Sequence, residues 1–239
     1  MMAYGRTHKG LVRDNNEDSF YVKEDKVGKL KNLFIVADGV GGHNAGEVAS
    51  KNAIQHFVEY AKDTTNTEID KIIEMGIKTA NNKIFRLSKE KKTYKGMGTT
   101  FTVCVIDENK LHIGHIGDSR LYLINDNIKQ ITEDHTLVNE MYKSGHLTVE
   151  ETKLHPKRNV ITRALGTEIF LDVDIYTINI EKNDKILLCS DGLNTMLDDE
   201  KIHNIVTKRT FLSSKVNELI DKALASGGND NVSVILIEV

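Results

Sequence analysis

Thr100-Phe101-Thr102-Val103-Cys104-Val105-Ile106 alternates along its length, with Phe101, Val103 and Val105 on one side and Thr102, Cys104 and Ile106 on the other. A period of two is the signature of an extended strand with two distinct faces. Asp107-Glu108-Asn109 follows as a tight turn into the apolar run 111–116, which predicts an antiparallel hairpin. Asn125-Asp126-Asn127 is a second turn of this kind, between candidate strands at 121–124 and 128–131. Further strands are expected at 19–22, 33–37, 173–180, 185–190 and 232–238.

Working outward, the helical segments come in separate blocks. Ala45, Ala49, Ala53, Phe57 and Ala61, widened by Ile54 and Val58, form one stripe, and Ile69, Ile73, Ile77, Ala80, Ile84 and Leu87 form a second. Thr67 and Asp70 are placed to cap the second. A third helix is expected after Ser214, with Val216, Leu219, Ile220 and Ala223 inward and Gly227-Gly228 as its stop. Strands joined as hairpins, with helices grouped apart, predict an α+β fold rather than a repeating βαβ one. Between 134 and 165 the strand pattern lapses, and Thr148-Val149-Glu150-Glu151 reads as a capping box inside a polar surface flap. Residues 89–95 read as a solvated loop.

The 239 residues contain one proline, Pro156, and no Gly/Ser-rich stretch, so no linker divides them. Net charge is −3 with acids and bases interleaved, which argues against a nucleic-acid protein and against a membrane surface. No apolar run approaches the roughly 20 residues of a membrane span, and the start carries no signal-peptide core. Cys104 and Cys189 each sit in an apolar run and read as buried free thiols, consistent with a reducing cytoplasm.

Carboxylates recur at the ends of the buried strands. Run 33–37 ends in Asp38-Gly39, run 113–116 in Gly117-Asp118-Ser119 and run 186–190 in Asp191-Gly192, while Asn229-Asp230-Asn231 opens the last strand and Glu17-Asp18 opens the strand at 19–22. Any one of these is ordinary turn chemistry. If the strand ends meet at one edge, however, the carboxylates share one space. At about 4 Å and an effective dielectric near 20, each like-charge contact costs about 4 kcal/mol, so the cluster needs protons or cations. Oxygen ligands without thiolates favour Mg²⁺ or Mn²⁺, and glycine after the aspartate would let its own carbonyl approach an ion. Two such ions about 3.5–4 Å apart suit in-line displacement at a phosphate ester. Arg13 can offer the phosphate a bidentate contact. Thr99 and Thr100 read as strand-start residues. Ser119 and Asn231 either orient neighbouring carboxylates by hydrogen bonding or are turn residues.

Eight blocks in order resemble the bacterial branch of the metal-dependent type 2C (PPM) protein serine/threonine phosphatases, over essentially the whole chain. They are Gly10-Leu11-Val12-Arg13-Asp14-Asn15-Asn16-Glu17-Asp18, Ala37-Asp38-Gly39-Val40-Gly41-Gly42-His43, Gly98-Thr99-Thr100, and His115-Ile116-Gly117-Asp118-Ser119-Arg120. Thr132-Glu133-Asp134-His135, Ile161-Thr162-Arg163-Ala164-Leu165-Gly166, Ser190-Asp191-Gly192-Leu193 and Gly228-Asn229-Asp230-Asn231 follow.

The resemblance implies a four-layer α-β-β-α sandwich of two antiparallel sheets, with residues 1–239 as one catalytic domain and 134–165 as its flap. It implies that Asp38 bridges two catalytic ions, Mn²⁺ or Mg²⁺, with the Gly39 carbonyl on one and Asp191 and Asp230 on the other. Asp18 would contact the pair directly or through water, with Glu17 behind it. Asp118, together with Asp191, matches positions of a third ion, and Arg13 would bind the substrate phosphate. The implied reaction is hydrolysis of phosphoserine and phosphothreonine on proteins by direct attack of a metal-bridging water or hydroxide. The implied counterpart is a bacterial serine/threonine kinase whose products the enzyme reverses. The family's eukaryotic members carry a histidine directly after Asp-Gly. Here that place is Val40, and His43 is either an acid or substrate contact or a helix-start residue without chemistry. His115 reads as core or as support for the site, and His135 and His155 as structural flap residues. Two rivals remain: hydrolysis of a small or nucleotide phosphoester, and a non-catalytic scaffold, the latter opposed by the intact set Asp18, Asp38, Asp118, Asp191 and Asp230.

Overall fold

The computed structural model describes residues 1–41 and 45–239. Its strands are β1 (Met2–His8), β2 (Asp18–Lys23), β3 (Leu33–Val40), β4 (Gly98–Thr99), β5 (Phe101–Asp107), β6 (Lys110–Ile116), β7 (Arg120–Ile124), β8 (Ile128–Gln130), β9 (Asp174–Asn179), β10 (Lys185–Cys189) and β11 (Val232–Glu238). The helices are α1 (Ala45–Asp63), α2 (Ile69–Glu90), α3 (Leu137–Lys143), α4 (Val149–Leu154), α5 (Asp191–Asn194), α6 (Asp199–Val206) and α7 (Leu212–Ala225). One sheet runs β1-β11-β10-β7-β8 and the other β2-β3-β5-β6-β9, with β4 on β3. The pairings are antiparallel.

The side-chain alternation read in the sequence sorts residues into layers. In β3, Leu33, Ile35 and Ala37 face α1 and α2, whereas Phe34 and Val36 enter the space between the sheets. In β11, Val232, Val234 and Leu236 face α6 and α7, and Ile235 and Ile237 face the other sheet. β5 obeys the same rule, with Phe101, Val103 and Val105 toward the helices and Cys104 and Ile106 inward. Three apolar clusters therefore separate four layers, in the order helices, sheet, sheet, helices. Gly114 has no side chain because α2 presses on β6: a Cβ there would lie 2.3 Å from the Ile73 Cγ2.

Several details depart from the sequence reading. Glu68, not Thr67, occupies the capping position of α2, and no side chain caps it. Asp70 instead accepts hydrogen bonds from across the fold, at 2.7 Å from His112 Nδ1 and 3.1 Å from Thr177 Oγ1. The helix start is thereby pinned to β6 and β9. The stretch 89–95 is not all loop, since α2 extends to Glu90 and Lys92–Tyr94 forms a 3-10 turn. β1 has no apolar alternation to announce it and is held as an edge strand by its pairing with β11. The segment 134–165 holds α3 and α4, and the capping box at Thr148 and Glu151 is present. Among the described residues no helix is long and apolar enough to cross a membrane. Cys104 and Cys189 are free and buried.

Candidate active site

The strand ends that carry the aspartates meet at one end of the sandwich. β2 and β3 are antiparallel, so the start of one and the end of the other coincide, and Asp18 is the direct register partner of Asp38. Like charges placed opposite one another weaken a sheet, so this pairing needs another cause. The same antiparallel logic brings Asp191, just past β10, beside Asp230, just before β11. Asp118 lies in the turn where the chain leaves β6 in one sheet for β7 in the other. Together Asp38, Asp118, Asp191 and Asp230 line a cavity of about 510 Å³ with Arg13, Glu17, Gly39 and Asn231.

The environment disfavours charge on these groups. Burial pushes the Asp18 carboxyl up to about 7, against the pull of bonds from Ser190 and Ser233. Burial, then the charge of Asp191, pushes Asp118 up to about 8. Burial and Asp230 push Asp191 up to about 6. Asp38 is raised well above the ordinary carboxylate range by burial and then by Asp18, Asp191, Asp118 and Asp230 in turn. One oxygen each of Asp18 and Asp191 is buried with no partner. Orphaned, all-oxygen, negatively charged donors around one cavity fit a hard divalent cation, which both neutralises them and satisfies the lone pairs. Among the described residues no group of three or more such side chains is already gathered as the ligands of a single ion are.

Neighbouring residues hold the aspartates in place. Thr100 is more than a strand-start residue: its hydroxyl accepts the Asp38 amide hydrogen at 2.9 Å, and its own amide donates to the Asp38 carbonyl at 2.8 Å. Thr99 donates to the same carbonyl at 2.9 Å. Ser190 Oγ donates to Asp18 Oδ2 at 2.7 Å. The Thr and Ser in the Gly-Thr-Thr and Ser-Asp-Gly blocks were the signal for these contacts, but only the fold shows which carboxylate each serves.

Three supporting residues make contacts beyond the carboxylates. Asn231 donates its main-chain amide hydrogen to Asp230 Oδ1 at 2.9 Å. Its side chain donates to the carbonyls of Lys9 and Asn15 and accepts from the Glu17 amide, stapling the loop that carries Arg13. Ser119 Oγ meets Thr100 Oγ1 at 2.8 Å, the same hydroxyl that accepts from the Asp38 amide. Glu17 accepts from the Gly46 amide at the start of α1. Arg13 is half exposed and reaches Asp230, with Nη2 to Oδ2 at 2.6 Å. Val40 lines the cavity, His155 sits at the end of α4, and His43 lies outside the described residues.

Gly39 has an immediate steric reason to be glycine. A Cβ there would stand 2.1 Å from the Gly46 carbonyl oxygen and 2.6 Å from that of Glu17. Both obstacles are backbone, so Gly39→Ala must lever α1 away from β3. Overpacking of this kind costs about 3 kcal/mol, a Tm lower by roughly 6–12 °C; a thermal melt within 2 °C of the parent, taken as about half a kcal/mol, would contradict it.

The family motif blocks are also joined to one another. Arg120 makes a bidentate pair with Asp134, at 2.9 Å from Nε to Oδ1 and 2.7 Å from Nη2 to Oδ2. A family model described as Protein phosphatase 2C matches residues 5–226. The chain belongs to the protein phosphatase 2C family. Within that family it is 37% identical, over 100% of its own length and 96% of the other, to the serine/threonine phosphatase stp of Listeria innocua. The crystal structure of the Mycobacterium tuberculosis serine/threonine phosphatase PstP/Ppp superposes with a TM-score of 0.90 at 34% identity, covering 100% of this chain and 98% of that one. The catalytic domain of PstP in complex with two manganese ions superposes at 0.86 with 33% identity, over 99% and 97% of the two chains. This 2C-type chain is a metal-dependent phosphoprotein phosphatase of the bacterial serine/threonine class.

Proposed function

We propose that this phosphatase hydrolyses phosphoserine and phosphothreonine by direct attack of water, with residues 1–239 acting as one catalytic domain. The observation that carries this reading is the composition of the cavity wall. Its described residues offer carboxylates, one guanidinium and amides, but no thiol, hydroxyl side chain or imidazole to take up the phosphoryl group. Asp18, Asp38, Asp191 and Asp230, with the Gly39 carbonyl, would hold two divalent cations, Mn²⁺ or Mg²⁺, and Asp118 with Asp191 a third. Bound cations supply the charge that lets these carboxylates ionise side by side, and they polarise water and phosphate oxygens for in-line displacement.

The protein's own groups do the remaining work. Thr99 and Thr100 fix the main chain of Asp38 from both sides, so its carboxylate enters the cavity in one direction. Asn231 fixes the 9–17 loop, which presents Arg13 at the cavity mouth with guanidinium donors to spare for a phosphate dianion. The names of the relatives, a serine/threonine phosphatase and a protein phosphatase, favour a protein substrate over a nucleotide. The counterpart we assign is a bacterial serine/threonine kinase, and the compartment is the cytoplasm, in keeping with two unpaired thiols.

The test is release of inorganic phosphate from a phosphothreonine peptide with Mn²⁺ or Mg²⁺, and after chelation by EDTA. Release that stops on chelation and resumes with added metal is expected. Release that survives chelation, or a strong preference for a nucleotide over the peptide, would overturn the reading.

A further inference from the structure

Two histidines within the family blocks have no place in the chemistry above, yet both are buried close to it. His115 lies in β6, and His135 stands at the entrance to the flap. Their ring centroids are 5.0 Å apart. Both converge on Gly117, the residue before Asp118.

The hydrogen bonds assign the state of each ring. His135 Nδ1 lies 3.0 Å from the Gly117 amide, which can only donate, so Nδ1 carries no proton. The proton is therefore on His135 Nε2, which donates to Asp174 Oδ2 at 3.1 Å. His115 Nε2 lies 3.0 Å from the carbonyl oxygens of both Gly117 and Glu133, which can only accept. It too carries the proton, leaving Nδ1 to accept from Thr102 Oγ1 at 2.9 Å. The Gly117 carbonyl also accepts the His135 amide hydrogen at 2.8 Å.

Both peptide groups flanking Gly117 are thus tied down, one through its N–H and the other through its C=O. Gly117 adopts a φ of +107°, open to glycine but strained for other residues, and a Cβ there would lie 2.5 Å from Thr100 Cγ2. The same group of residues closes the flap. Thr162 donates its amide hydrogen to the His135 carbonyl at 2.8 Å, and Arg163 Nη1 reaches Asp174 Oδ1 at 3.2 Å. Tyr176 adds a bond to Asp174 at 3.0 Å.

We propose that His115 and His135 are positioning residues that clamp the Gly117 turn, aim Asp118 into the cavity, and join that aim to both ends of the 134–165 segment. The function assigned to the clamp rests on the reading of Asp118 as a metal ligand. Any buried imidazole must satisfy its nitrogens; what sets these two apart is that both do so on the one turn that carries Asp118.

The experiment is calorimetric titration of Mn²⁺ into the full chain stripped of metal, with circular dichroism to confirm the fold. His135→Leu should weaken the site served by Asp118 by about 10–100-fold, the usual effect of losing a group that orients a ligand. His135→Asn, whose side-chain carbonyl can take the place of Nδ1, should recover most of that loss, and it serves as the test if the leucine variant does not fold. In an Asp118→Ala background, His135→Leu should add no further loss, because the two act through one carboxylate. Unchanged Mn²⁺ binding in His135→Leu, no rescue by asparagine, or losses that multiply in the double variant would each overturn the clamp. Unchanged binding in Asp118→Ala would remove the metal role of Asp118 and the clamp's function with it, while leaving metal-dependent phosphate release intact as the separate test of catalysis.

Discussion

Asp38→Asn is expected to abolish turnover and at the same time to stabilise the metal-free protein. The two effects share one cause. Asp38 faces Asp18 across the β2–β3 ladder and shares its cavity with Asp118, Asp191 and Asp230. No arrangement of those carboxyls is favourable without protons or cations, and each of the four raises the Asp38 pKa. An isosteric amide removes the most crowded of the charges. Relief of strain at a functional site commonly yields about 0.5–2 kcal/mol, which in a chain of this size raises Tm by roughly 2–6 °C. The amide is a poorer ligand without charge, so phosphate release should fall by at least about a thousandfold, the scale on which a central electrostatic group in an active site is felt. The paired measurement is a metal-free melt at pH 8 and phosphate release with saturating Mn²⁺. A variant that loses stability, or one that keeps a tenth of the activity, would show that Asp38 is not the crowded centre of the site.

The metal-free protein should become less stable as pH rises from about 5 to about 8, and divalent cations should reverse the trend. The folded-state carboxyls of Asp191, Asp18 and Asp118 lie at about 6, 7 and 8, above the value of about 4 for an unfolded aspartate. The folded state therefore binds more protons than the unfolded one. Such groups contribute stability that is fully present below the unfolded pKa and is lost as pH climbs through the folded values. A net difference of one proton across two pH units is about 3 kcal/mol, or roughly 10 °C in Tm. Cations replace the missing protons, so the Tm gain on adding Mn²⁺ should be larger at pH 8 than at pH 5. Melts taken across this range after chelation decide the matter. A metal-free Tm that is flat or rises with pH would mean that these carboxyls are not held against ionisation by the fold.

The layers of the fold were legible in the sequence because burial imposes local periodicity. A strand between two apolar layers must alternate, as β5 does, and a helix lying on a sheet must carry a stripe, as α1 and α2 do. β1 and α6 were less legible. β1 has Gly5 and Arg6 in the middle and owes its extended form to β11, while the signal for α6 was Asp198 as a cap before Ile202, Ile205 and Val206. The assignment of Thr67 as a cap failed because one residue of displacement moves a side chain out of reach of the helix amides.

The sequence by itself determined which residue types stand at the mouths of the buried strands, and that repeated carboxylates there call for cations. It also determined the family, through blocks whose order is independent of geometry. The tertiary structure alone decided the partners. Asp18 is paired with Asp38 by strand register, Ser190 serves Asp18 across 172 residues of chain, and Arg13 meets Asp230 across 217. It gave the Asn231 side chain a loop to hold while its amide meets Asp230, and it set two histidines around one glycine. The physical reason is that periodicity reports only which face of an element is apolar. Hydrogen-bond partners depend on where distant elements come to rest, which is settled by packing both sheets and both helix layers at once.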